Sequence, residues 1–177
     1  MNIVLIGARG SGKSAVAEAL AHALKRTVVS TDAEIERRAG CSIKDFVEQN
    51  RWDAFRKLES EVVRCLAGDG DRILDTGGGV VLRQANVEAL RAHGRVFWLQ
   101  APVAVLAARI KGDNSRPSLT GAKSSVDEIA EVLAARAPLY AAAAHHVINT
   151  EDRAPDAIAV GIAALFMGGA GAADQID

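Results

Sequence analysis

The chain is poor in cysteine, proline and aromatic residues, and each scarcity narrows what it can be. Two cysteines in 177 residues, Cys41 and Cys65, stand in no CxxC spacing and near no histidine cluster. That count speaks against a disulfide framework and a zinc site, and the sequence predicts two reduced, buried thiols. Net charge is also lacking: 21 Lys and Arg against 22 Asp and Glu give −1, so no basic field exists to recruit a nucleic-acid backbone. No apolar run approaches the roughly 18 residues of a bilayer span, because Arg, Glu and Asp repeatedly break the Ala-rich segments. The short apolar run Ile3–Ile6 opens directly into glycines, without a basic leader or a cleavage site. It reads as a strand rather than a signal peptide. The expectation is a soluble, cytoplasmic monomer with a small-molecule substrate and neither nucleic-acid nor membrane partners.

Hydrophobic residues make up 49% of the chain, enough for one domain whose core needs no metal or disulfide. Strand-length apolar runs occur at Ile3–Ile6, Thr27–Val29, Arg72–Leu74, Val96–Leu99 and His146–Ile148. Between them lie segments of helical spacing, at Lys13–Lys25, Asp32–Ala39, Arg51–Leu66, Gln84–Ala92, Pro102–Ile110, Ser125–Ala142 and Pro155–Phe166. Such βαβ alternation predicts an α/β domain with a mostly parallel sheet covered on both faces. A polar stretch at 112–124, rich in Gly, Ser, Asn and Pro, has the composition and length of a lid. Residues 168–177 have the composition of a flexible tail, leaving a single domain at 1–167. The histidines, His22, His93, His145 and His146, show no metal-ligand spacing and read as surface or strand-edge residues.

Gly7-Ala8-Arg9-Gly10-Ser11-Gly12-Lys13-Ser14 fits G-x-x-x-x-G-K-[ST] and sits between a predicted strand and an amphipathic helix, the context a phosphate-binding loop requires. Glycines let the backbone form an anion-binding concavity, and the following helix adds its positive dipole end. This predicts nucleotide contacts from Gly10, Ser11, Gly12, Lys13, Ser14 and Ala15, with Lys13 on the β- and γ-phosphates and the Ser14 hydroxyl on Mg²⁺. The loop specifies a nucleotide and leaves the reaction open. Three further segments follow elements that end near the phosphate edge of such a sheet: Asp32, Phe55-Arg56-Lys57-Leu58-Glu59, and Asp75-Thr76-Gly77-Gly78-Gly79. Arg116-Pro117 lies in the polar stretch, and Arg136-Ala137-Pro138-Leu139-Tyr140 follows.

In order and spacing these segments resemble the shikimate kinase family across nearly the whole chain, to about Thr150. The resemblance implies a P-loop NTPase-type three-layer α/β/α fold, nucleoside-monophosphate-kinase-like, with a five-stranded parallel sheet in the order 2-3-1-4-5. It implies an acceptor-binding subdomain at about 32–65. The implied activity moves the γ-phosphoryl group of ATP, with Mg²⁺, to the 3-hydroxyl of shikimate in aromatic amino acid biosynthesis. Arg56 and Arg136 fall on the family's carboxylate-binding positions, where guanidinium forks suit a carboxylate; by spacing alone they are solvated helix arginines. Asp32 falls on the acid that orients the attacking hydroxyl, although an Asp directly before AEIERR is also a helix N-cap. Gly77, Gly78 and Gly79 fall on the stretch that lines the acceptor site. Arg116 falls on a lid arginine that neutralises phosphoryl charge. Arg109 falls on a position that stacks on adenine, beside the alternative of helix C-terminal charge compensation.

The sequence departs from the family pattern at three places. Ser30-Thr31-Asp32 stands where D-x-D is usual, so the first acid is missing. Asp75 stands where a small residue is more common, at the end of an apolar strand beside the P-loop strand, and we read it as taking the metal-water contact that Ser30 lacks. Arg51-Trp52 replaces a glycine-glutamate pair. Two other readings stay open at this point: a related kinase of another small polyol or sugar acid such as gluconate, and an ATP-binding regulatory domain with impaired catalysis.

Overall fold

The computed structural model describes residues 1–110 and 125–168. The expected lid at 112–124, with Arg116 and Pro117, and nearly all of the expected tail lie outside the described residues. Five strands, β1 (Asn2–Ile6), β2 (Thr27–Ser30), β3 (Arg72–Asp75), β4 (Gly94–Gln100) and β5 (His146–Asn149), pair in parallel in the order β2-β3-β1-β4-β5. This is the order the family resemblance implies. The helices are α1 (Lys13–Leu24), α2 (Thr31–Ala39), α3 (Ile43–Gly68), α4 (Gln84–His93), α5 (Val103–Ile110), α6 (Ser125–Ala143) and α7 (Pro155–Met167).

Strand alternation explains the three layers. Ile3 and Leu5 of β1 point into one apolar layer with Val16 and Leu20 of α1 and Ile158 and Ile162 of α7. Val4 and Ile6 point the other way, to Val62 and Leu66 of α3, Leu90 of α4 and Tyr140 of α6. A central parallel strand buried on both faces needs such an unbroken apolar run, and every residue of β1 is buried. Strand order reverses between β1 and its neighbours β3 and β4, and ligands of open α/β sheets bind at such a point, beyond the carboxyl ends of the strands.

One helix is longer than its periodicity suggests. α3 starts at Ile43 rather than Arg51, where the Ser42 hydroxyl oxygen accepts the Asp45 N–H at 3.1 Å and donates to the Asp45 carboxylate at 2.7 Å. At Arg51 the backbone leaves the helical region, with φ 67° and ψ 166°, so the spacing before the bend is out of phase with the spacing after it. The expected burial of both thiols is corrected: Cys65 is exposed and Cys41 half-buried. Val62, Val63 and Leu66 take the core-facing positions of that stretch of α3 and leave Cys65 on the solvent side. His22 and His93 are exposed, and His145 and His146 are half-buried beside the edge strand β5.

Candidate active site

At the carboxyl ends of β1, β2 and β3 a cleft of about 570 Å³ is lined by Lys13, Ser14, Asp32, Asp75, Gly78 and Arg109, among others. Its floor is the loop from Gly7 to Ser14. Gly10 has φ 82°, and a Cβ there would stand 2.8 Å from Ile110 Cγ2 and 2.9 Å from the Leu106 carbonyl oxygen. Only glycine allows both that dihedral and the packing of α5 onto the loop. The first turn of α1 has no side-chain cap and no acidic residue, whereas α2 and α3 each begin with a serine cap and an acid. The amides and positive dipole end of α1 are therefore left for an anion. Lys13 is buried, with Nζ 3.0 Å from the Gly7 carbonyl oxygen and 2.9 Å from that of Ala8, which holds the ammonium over the loop.

The Ser14 hydroxyl donates to Asp75 Oδ2 at 2.6 Å. Asp75 ends β3 and stands opposite Ser30 of β2 in the strand register. A hydroxyl and a carboxylate are hard oxygen donors of the kind Mg²⁺ takes, alongside the phosphates of its nucleotide. The donor set and the uncapped helix thus fit magnesium and a nucleoside triphosphate. Asp32 does not cap α2: the Ser30 hydroxyl oxygen accepts the Ala33 N–H at 3.3 Å and does so instead. This settles the N-cap alternative against Asp32, whose carboxylate lines the cleft. Its Oδ1 is buried, 2.7 Å from where a Cβ on Gly77 would stand.

Two guanidinium groups flank the triple glycine. Arg56 pairs with Glu59 at 2.7 Å, one helical turn along α3. Its plane lies so close to Gly79 that a Cβ there would overlap it. The rings of Trp52 and Phe55 sit 5.3 and 5.0 Å from the same guanidinium and pack edge to face on each other. Arg56 is thus held by an ion pair, two rings and a glycine surface, and is no solvated helix arginine. Glu59 is 1% exposed; burial pushes its carboxyl above the usual glutamate value, and the Arg56, Arg136 and Arg83 charges pull it back. Arg136 Nη1 donates to the Gly78 carbonyl oxygen at 3.1 Å.

Arg109 stands in the last turn of α5 and lines the cleft. Its guanidinium donates to Thr150 O at 2.8 Å, to Thr150 Oγ1 at 3.2 Å and to the Gly10 carbonyl oxygen at 3.4 Å, tying α5 to the P-loop and to the end of β5. The sequence-based reading left Trp52 and Tyr140 without roles. Tyr140 lies four residues after Arg136, hence on the same face of α6, and its phenol also donates to the Gly78 carbonyl oxygen. That spacing was the available signal.

A family model described as shikimate kinase matches residues 9–165. A shikimate kinase of Nitratidesulfovibrio vulgaris is 47% identical over 150 residues, covering 83% of this chain and 85% of the relative. A shikimate kinase 2 of Syntrophotalea carbinolica is 42% identical over 161 residues, covering 89% of this chain and 92% of its own. Among solved structures, a shikimate kinase from Acinetobacter baumannii in complex with shikimate superposes with a TM-score of 0.90 at 34% identity, covering 94% of this chain and 93% of that one.

Proposed function

The chain belongs to the shikimate kinase family, and from that premise we propose that it transfers the γ-phosphoryl group of ATP to the 3-hydroxyl of shikimate. The observation that carries this reading is the meeting, at one glycine loop, of a P-loop cleft on one side and two flanking guanidinium groups on the other. MgATP, when bound, supplies the electrophilic phosphoryl group. Gly10, Ser11, Gly12, Lys13, Ser14 and Ala15 would hold its phosphates, Ser14 and Asp75 would hold the metal, and Arg109 would lie against the adenine. Arg56 and Arg136 receive the acceptor's carboxylate in paired hydrogen bonds. Gly77, Gly78 and Gly79 allow the acceptor close to the backbone. Asp32 accepts a hydrogen bond from the attacking hydroxyl and orients its proton. Lys13 and Arg116 neutralise charge on the transferring group, so the acceleration comes from positioning and electrostatics rather than from a covalent intermediate.

In this reading residues 32–65 form the acceptor subdomain, 112–124 close over the nucleotide to exclude water, and the protein acts as a cytoplasmic monomer. No helix among the described residues is long and apolar enough to cross a membrane. The deciding experiment is acceptor-dependent ADP release with MgATP, comparing shikimate, gluconate and no acceptor. Turnover with shikimate alone is expected. Turnover with gluconate, or nucleotide binding with no acceptor-dependent release, overturns the assignment in favour of a sugar-acid kinase or a regulatory domain.

A further inference from the structure

Gly78 is where the two halves of the cleft meet. A Cβ on it would lie 3.3 Å from the Gly7 carbonyl oxygen, 3.5 Å from the Arg9 amide nitrogen and 3.7 Å from the Tyr140 phenol oxygen. Its carbonyl accepts two hydrogen bonds from α6, one from Arg136 and one from Tyr140. Tyr140 is fully buried, and its ring stacks on Trp98 of β4 with centroids 5.6 Å apart and planes 25° apart. Burial pushes its ionisation above the ordinary phenol value, so the hydroxyl stays a donor at neutral pH.

A trans peptide is one rigid plane in which the carbonyl and the next N–H point in opposite directions. Fixing the Gly78 carbonyl therefore aims the Gly79 N–H. The surrounding groups are already engaged: the Gly77 N–H donates to Thr31 Oγ1 at 3.0 Å, the Val80 N–H to Gly77 O at 3.1 Å and the Leu82 N–H to Gly79 O at 3.0 Å. The amides of the buried Gly78 and Gly79 make no hydrogen bond among the described residues. A buried donor without a partner is destabilising, and a ligand oxygen relieves that cost. The plane lies between two residues without Cβ atoms, so nothing local opposes its rotation.

We propose that Tyr140 is a positioning residue for the acceptor: its phenol clamps the Gly78–Gly79 peptide so that the Gly79 amide faces the acceptor side of the cleft, where the Arg56 guanidinium lies. The inference rests on the kinase reading above. Arg136 does not serve as the lasting clamp, because in that reading it is recruited to the acceptor's carboxylate. Tyr140 is the donor that stays.

Tyr140→Phe removes the hydroxyl and keeps the ring on Trp98. Expected are a KM for shikimate raised about tenfold, the size of one buried hydrogen bond, a lower kcat, and a KM for ATP within about twofold of the native value. The Gly79 amide resonance, followed by ¹⁵N NMR without substrate, is expected to move. Trp98→Phe is the comparison, expected to lower Tm while leaving the KM for shikimate unchanged. The proposal is overturned if Tyr140→Phe leaves both kcat and the KM for shikimate within about twofold, or raises both KM values together. Should the native protein fail to turn over shikimate, the kinase reading falls by itself. The Gly79 resonance then decides the clamp, and an unchanged signal in Tyr140→Phe overturns it.

Discussion

In the phosphate half of the cleft the groups facing the ligand are main-chain amides, a lysine held by its own loop carbonyls and a hydroxyl–carboxylate pair. In the acceptor half they are long side chains fixed by one another: Arg56 by Glu59, Trp52 and Phe55, and the glycine loop by Arg136 and Tyr140. A backbone site is fixed by local dihedrals, and the phosphate half comes from the loop Gly7 to Ser14 except for the Asp75 carboxylate. A side-chain site draws on α3, on the loop after β3 and on α6, so its order depends on how those elements pack. In the function we propose, the first recognises phosphate, which many ligands carry, and the second discriminates among acceptors.

The contrast breaks most sharply at Lys13. Lys13→Ala is expected to lower kcat by roughly a thousandfold with an unchanged circular dichroism spectrum, because the charge serves the phosphoryl group and not the fold. Gly79→Ala strikes the other half, since its Cβ overlaps the Arg56 guanidinium. Steady-state kinetics should show the KM for shikimate rising by roughly tenfold to a hundredfold, as for loss of a charge-assisted pair, with ATP affinity held. Equal loss of both affinities would mean that the halves are not separable. Asp75→Ala tests whether the metal's outer ligand has moved one strand across from Ser30. Calorimetric binding of ADP with and without Mg²⁺ should show the metal's contribution weakened about tenfold, and an unchanged contribution refutes the assignment.

The smallest effect lies outside both halves. His145 Nδ1 accepts the Val96 N–H at 2.9 Å, and burial first, then the charges of Arg91, His146 and Arg95, holds its ionisation below the ordinary histidine value. A base whose folded pKa is depressed binds its proton more readily when unfolded. Its stabilisation is thus complete above the ordinary value of 6.5 and is lost as pH falls through the depressed one. Urea denaturation should show stability declining as pH falls below 6.5, and His145→Gln should flatten that slope without altering either KM.

What could be read beforehand follows the same division. The P-loop and most element boundaries rest on local periodicity and motif, and these are visible in a linear string, whereas the strand order was implied only by the family resemblance. The Ile43–Asn50 stretch of α3 was obscured because the dihedrals of Arg51 break the helical phase, although Ser42 and Asp45 form a capping pair that could have announced it. Whether Asp32 or Ser30 caps α2 was undecidable from composition, since both types serve; the structure gives the cap to Ser30 and the cleft to Asp32. The contact of Tyr140 with Gly78 joins residues 62 apart in sequence, and the four-residue step from Arg136 marks only the face of α6 on which Tyr140 lies.

The bend at Arg51 has an evolutionary side. Backbone at φ 67° and ψ 166° is open without cost only to glycine, so the chain stores about 1–3 kcal/mol one residue before Trp52. A single codon change to glycine would release it, and a lineage under selection for heat resistance has that route at hand. Glycine keeps the same bend, and with it the place of Trp52 beside Arg56.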